Sequence, residues 1–269
     1  MRTFFLASLL FFSSVSLAQQ IITVGVVPQF PVKKLHSIWK PVLSQLEEET
    51  GLIFELKGSP DIPSFEKEFM AGEFDLAYMN PYHYIIASDI YTPMVRDIGR
   101  QLYGIIVVAK DSPIKTVADL DGETIALPAP NALGASLMTR AAMTNEYHIR
   151  YEPLYVKTHS SVYLNVALGK TAAGGGVQKT LSQQPEKIKN RLRVLYQTQK
   201  VAPHPLVANK SLSESTVKLI QQALLRMSQT KEGRALLSKV PFKMLGVADA
   251  QDYAPLRALN LAPFFQNHQ

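Results

Sequence analysis

A chain of 269 residues, 46% of them apolar, can bury a core of its own and exceeds one average domain, so one or two compact units are expected. It holds no cysteine, which excludes a disulfide framework and thiol chemistry. Its net charge is +6 at pH 7, which suits an anionic ligand, yet no run of Lys and Arg interleaved with aromatics marks a nucleic-acid surface.

Arg2, the apolar stretch Phe4 to Phe12, and Ser16-Leu17-Ala18 make the three parts of a secretory leader, with cleavage expected between Ala18 and Gln19. The apolar stretch is short for a bilayer span, and no later segment has eighteen consecutive apolar residues, so an exported, soluble mature chain is expected. Ile21 to Val27 is a β-branched run of the kind found in buried parallel strands. Leu35, Ile38, Trp39, Val42, Leu43 and Leu46 then fall on one helical face, and Gly51 stands where a C-terminal cap belongs. A strand is expected over 52–56, a short helix over 65–71, and a strand over 74–79 that runs into Asn80-Pro81.

Beyond Gly104 the alternation resumes, with strands over 105–109, 123–127, 151–156, 171–176, 193–196 and 205–208. Helices are expected over 116–120, 131–145, 160–168 and 177–188, and the chain is helical from Ser213. Regular βα alternation implies mainly parallel sheets with helices on both faces. No internal repeat or long linker appears, so two lobes made by a chain that crosses over and back fit better than two tandem units.

Ligands of such sheets bind beyond the carboxyl ends of strands. That rule selects the loops at 28–31, 79–84, 128–136 and 158–161. Asn80 before Pro81 makes a helix N-cap, and Tyr78, Tyr82, His83 and Tyr84 gather rigid polar rings around one strand end. Thr158-His159-Ser160-Ser161 opens a helix, where free N–H groups and hydroxyls can hold an anion; the alternative reading is Ser160 as a plain helix cap. Gln29 and Asn131 are placed at the sides of this site, with Ser136 one turn into its helix. Hydrolase elbows, phosphate-binding lysine loops and zinc-protease histidine pairs are all missing, and the six histidines lack metal-ligand spacing. Neither a cofactor nor catalysis is expected.

Several segments together resemble the substrate-binding proteins of phosphate, phosphite and phosphonate ABC importers, the PhnD-like group of type II periplasmic binding proteins. They are Val24-Gly25-Val26-Val27-Pro28, Trp39-Lys40-Pro41-Val42-Leu43, Gly72 to Tyr78, Asn80 to Tyr84, Val108 to Ile114, Asp119 to Gly122, Thr158 to Ser161, and Ala167-Leu168-Gly169. The resemblance implies an α/β fold of two lobes joined by a two-crossover hinge, with a leader over 1–18. The first lobe would be built from 19–103 and 201–269, and the second from 104–200. It also implies a monomeric periplasmic protein that holds a small oxyanion between the lobes. The partner would be an inner-membrane ABC permease or, alternatively, a membrane sensor kinase. His159 matches a family position that contacts the oxyanion. Phosphonate binders carry a Ser-Thr-Ser-Gly-like run in the second lobe, whereas this chain reads Asn131-Ala132-Leu133-Gly134. The family's acidic residue for a ligand amine is likewise replaced in the region of Gly174-Gly175-Gly176 and Gln178.

Overall fold

The computed structural model describes residues 20–28, 30, 32–240 and 242–266, so the leader, its cleavage position and Gln29 lie outside the described residues. The chain opens with β1 (Ile21–Val26), α1 (Val32–Thr50) and β2 (Ile53–Lys57). α1 buries Leu35, Trp39, Val42, Leu43 and Leu46 against the sheet, and Gly51 ends it at φ 72°, the left-handed conformation that glycine adopts without strain. α2 (Ile62–Met70) begins three residues before the expected start, because Asp61 caps it by accepting from Ser64 N–H. β3 (Leu76–Tyr78) then leads into α3 (Pro81–Ile86), which starts at the Asn80 cap read from the sequence, and β4 (Tyr91–Asp97), which was not assigned from the sequence, follows.

A second group follows: β5 (Ile105–Ala109), β6 (Thr124–Leu127), α4 over residues 133–146, β7 (Glu152–Tyr155) and α5 (His159–Ala167). α4 is not the plain α-helix expected. It is π-wound over Leu133–Met138 and Ala142–Glu146, with one α turn, Thr139–Ala141, between them. β8 (Ala173–Gly176) is shorter than expected. The helix expected over 177–188 is split into α6 (Gln178–Ser182) and α7 (Glu186–Lys189), because Pro185 between them has no N–H to continue it. β9 (Leu192–Gln197) and β10 (Pro205–Asn209) precede α8 (Glu214–Met227), α9 (Lys231–Leu237), β11 (Leu245–Val247) and α10 (Ala254–Arg257).

The strands form a six-stranded sheet in the order β11-β4-β10-β3-β1-β2 and a five-stranded sheet in the order β7-β6-β8-β5-β9. Both are mixed rather than mainly parallel. β10 runs antiparallel to β3 and β4, β11 to β4, and β5 to β8 and β9. Two of the reversals, at β5 and β10, occur where the chain changes sheets, whereas β11 follows β10, α8 and α9 in the same sheet. A strand that enters from the other sheet arrives at the end its parallel neighbours leave from. Two crossovers connect the sheets, and they pair with each other where Leu102 and Val201 exchange N–H···O bonds of 2.9 and 2.8 Å. α8 packs on α1, which puts the C-terminal helices on the first sheet.

Candidate functional site

Parallel pairing gathers the carboxyl ends of β1 and β3 at one edge of the first sheet and those of β6, β7 and β8 at one edge of the second, and the loop after β6 reaches the first-sheet side where Asn131 meets Glu66. On the first-sheet side, the Asn80 side chain accepts from His83 N–H at 2.9 Å and starts α3, with Pro81 in its first turn. Tyr78 is buried, with its ring 5.3 Å from Trp39 and stacked at 5.5 Å on His204. Burial drives its phenol pKa well up, so it remains a neutral hydroxyl. His204 is pushed down to about 3 by burial, with His83 and then Lys179 adding to the effect.

On the second-sheet side, three helix starts converge. Thr158, not Ser160, caps α5, accepting from Ser161 N–H at 3.1 Å. Ser160 is exposed, and Ser161 Oγ lies 2.8 Å from the Thr158 hydroxyl. His159 is the first residue of α5; its Nδ1 is buried without a hydrogen-bond partner, and burial holds its pKa below the usual imidazole range. Ser136 is fully buried in the first turn and a half of α4, and its Oγ also has no partner. Gln178 opens α6 and is exposed.

Two of the expected ligand contacts are occupied by the protein itself. Asn131 Nδ2 lies 3.2 and 3.3 Å from the two carboxylate oxygens of Glu66 and donates to Gln266 O at 2.9 Å, while its Oδ1 accepts from Gln266 N–H at 2.9 Å. Glu66 in turn sits 3.0 Å from His83 Nε2, which burial keeps below its usual pKa against the pull of Glu66. Tyr82 packs on Phe265 at 5.4 Å within an apolar cluster of Leu133, Leu137, Leu256, Leu261 and Phe264. Arg140 Nη1 donates to Phe264 O at 3.0 Å. Asn131 and Tyr82 therefore hold one side of the junction shut and bind the chain's own C-terminal segment to α4. The sequence carried a faint sign of this in Glu66, a carboxylate between Phe65 and Phe69 on a helix face that turns out to be buried.

Chemically, the strand-end loops of the second sheet offer two unpartnered polar side chains, Ser136 Oγ and His159 Nδ1, with the N–H groups that open α5. Such a set can donate to an oxyanion.

A family model described as the periplasmic substrate-binding protein of phosphonate ABC transporters matches residues 24–253. A Mycolicibacterium smegmatis protein named as a phosphate-import protein is 23% identical over 220 residues, 73% of this chain and 68% of its own. The phosphonates-binding periplasmic protein of Escherichia coli is 22% identical over 254 residues, 88% of this chain and 75% of its own. A Prochlorococcus marinus protein solved in complex with methylphosphonate superposes with a TM-score of 0.75 at 14% identity, covering 91% of this chain and 98% of its own.

Proposed function

The chain belongs to the periplasmic substrate-binding proteins of phosphonate ABC transporters, and from that premise we propose that it captures a small oxyanion of the phosphonate or phosphate kind between its two lobes and passes it unchanged to an inner-membrane permease. The lobes are taken as 19–103 with 201–269, and 104–200, after removal of a leader ending at Ala18. The protein is read as a monomer. The observation that carries the ligand class is the pair of buried, unpartnered groups at two helix starts, Ser136 Oγ and His159 Nδ1. A buried polar atom without a partner costs free energy, so a ligand oxygen that supplies the missing bond is favoured. Tyr78 and Asn80 close the site from the first lobe, with Ser160, Ser161 and Gln178 at its rim.

The substitution of Asn131-Ala132-Leu133-Gly134 for a hydroxyl-rich run narrows the donor set, because Asn131 is spent on Glu66 and Gln266. A ligand with fewer acceptor oxygens to satisfy, such as a methylphosphonate, fits this set better than free phosphate. Calorimetric titration with methylphosphonate and with phosphate tests the reading. His159→Ala should weaken the preferred ligand about tenfold to a hundredfold while leaving the melting temperature nearly unchanged. Unchanged affinity in that variant would place the ligand elsewhere.

A further inference from the structure

Beside the paired crossovers, on the first-sheet side, lies a cavity of about 480 Å³ whose charged lining is Arg96, Arg100, Lys200 and Asp252. None of the strand-end loops at 128–136, 158–161 or 176–179 contributes to its lining, so it is separate from the site described above. Its charge is unbalanced. Asp252 is committed to Arg96, whose Nε and Nη2 each donate to one of its oxygens at 2.8 Å. Among the described residues, Arg100 pairs only with Asp97, at 3.6 Å, and that carboxylate already accepts N–H groups from Gly99, Lys243 and Met244. Lys200 forms no salt bridge among the described residues, and its ammonium stands 5.7 Å from the Tyr103 ring.

We propose that this cavity is a second anion site, built for a small, multiply charged inorganic anion held between Arg100 and Lys200. The volume admits an ion the size of pyrophosphate, and among the described residues no aromatic side chain lines the cavity to stack a nucleobase. Arg100 precedes the Leu102–Val201 bridge on one crossover and Lys200 precedes it on the other, so one bound anion ties both hinge strands together. Lys179, at the start of α6 in the second lobe, is close enough to Arg100 that this charge adds to burial in lowering its pKa. Bringing the lobes together therefore opposes two cations, and an anion beside Arg100 relieves that repulsion. The anion thus favours closure, and by reciprocity the cleft ligand and the hinge anion tighten each other's binding. The site itself stands on the cavity alone; only its coupling to closure rests on the capture reading above.

The probe is inorganic pyrophosphate, titrated into the full mature chain by calorimetry at low salt, where exposed charges are least screened. Saturable binding is expected to the wild type and equally to His159→Ala. Binding at least about tenfold weaker is expected for the double variant Arg100→Gln, Lys200→Gln. Should the double variant fail to fold, Lys200→Gln alone, at an exposed position, should still weaken pyrophosphate several-fold. No saturable binding to the wild type, or full affinity in the folded charge variant, would overturn the site. Loss of binding in His159→Ala with retention in the charge variant would place the anion in the cleft instead, and would leave the capture reading standing.

Discussion

Three histidines, His83, His159 and His204, are all held below the ordinary imidazole pKa, in each case first by burial. Each takes its proton near pH 6.5 in the unfolded chain and only at lower pH when folded, as low as about 3 for His204. Between those pH values the unfolded chain binds more protons, so stability is full above pH 6.5 and falls as the pH drops through that window. The loss is up to about 1.4 kcal/mol per pH unit for each histidine. His204→Gln should flatten the decline between pH 6.5 and 4 in urea melts, and an unchanged slope would show that His204 titrates normally in the fold. Asn131 acts at the same scale through hydrogen bonds. Asn131→Ala would strip a donor from the buried Glu66 carboxylate and both bonds from the Gln266 backbone, so a loss of about 1–3 kcal/mol is expected in thermal or urea unfolding. Asn131→Asp should cost more, since it sets a second carboxylate against Glu66. A variant as stable as the wild type would mean that water replaces these bonds without loss.

The run Ala173-Gly174-Gly175-Gly176 shows how an element is chosen by its neighbours. A side chain at Gly175 would run into the Ala135 carbonyl on α4, and one at Gly176 into the Tyr163 ring on α5. Glycine has a low strand propensity, yet it lets two helices approach the two faces of β8 closely enough to set their starts around the site. Gly175→Ala must push α4 away and should destabilise the protein by about 1–3 kcal/mol. Because Ser136 lies next to the displaced carbonyl, ligand affinity should fall with it, as melting and titration of the same sample would reveal. The π-wound turns of α4 were not legible in the sequence. Its apolar residues fit a plain helix, and only packing against β8 and the C-terminal segment decides how the turn is wound. β4 was missed for a related reason: residues 87–103 mix Pro, Tyr and charged side chains without clean periodicity, and the antiparallel partner that makes β4 a strand is β10, more than a hundred residues away.

At the scale of the molecule, two sheets meet through two paired crossovers, and the segment 264–266 adds a third connection through Asn131 and Arg140. A ligand that binds only the closed form should stabilise it by about 2.7 kcal/mol at a hundred times its Kd. The melting temperature should therefore rise and the radius of gyration measured by small-angle scattering should fall on addition of ligand. A compound that saturates the protein while changing neither is not held between the lobes. Hinge change is expected to concentrate at residues 98–104 and 198–204, where the backbone crosses.

The sequence by itself determined the βα alternation, the two-lobed α/β class, the family and the loops from which a site would be built. Those features depend on local patterns, such as the apolar face of α1, the β-branched run of β1, and Asn80 or Thr158 ahead of a helix. Tertiary structure alone decided the strand directions at the crossovers, the capture of Asn131 and Tyr82 by the protein's own C-terminal segment, and the gathering of Arg96, Arg100 and Lys200 around one cavity. Each of these joins residues from separate stretches of the chain, and whether a polar side chain meets a ligand or a neighbour depends on which surfaces the fold brings within hydrogen-bond distance. Asn131 and His159 both stand near the start of a helix after a strand, yet the first is consumed by Glu66 and Gln266, while the second keeps an unpartnered ring nitrogen.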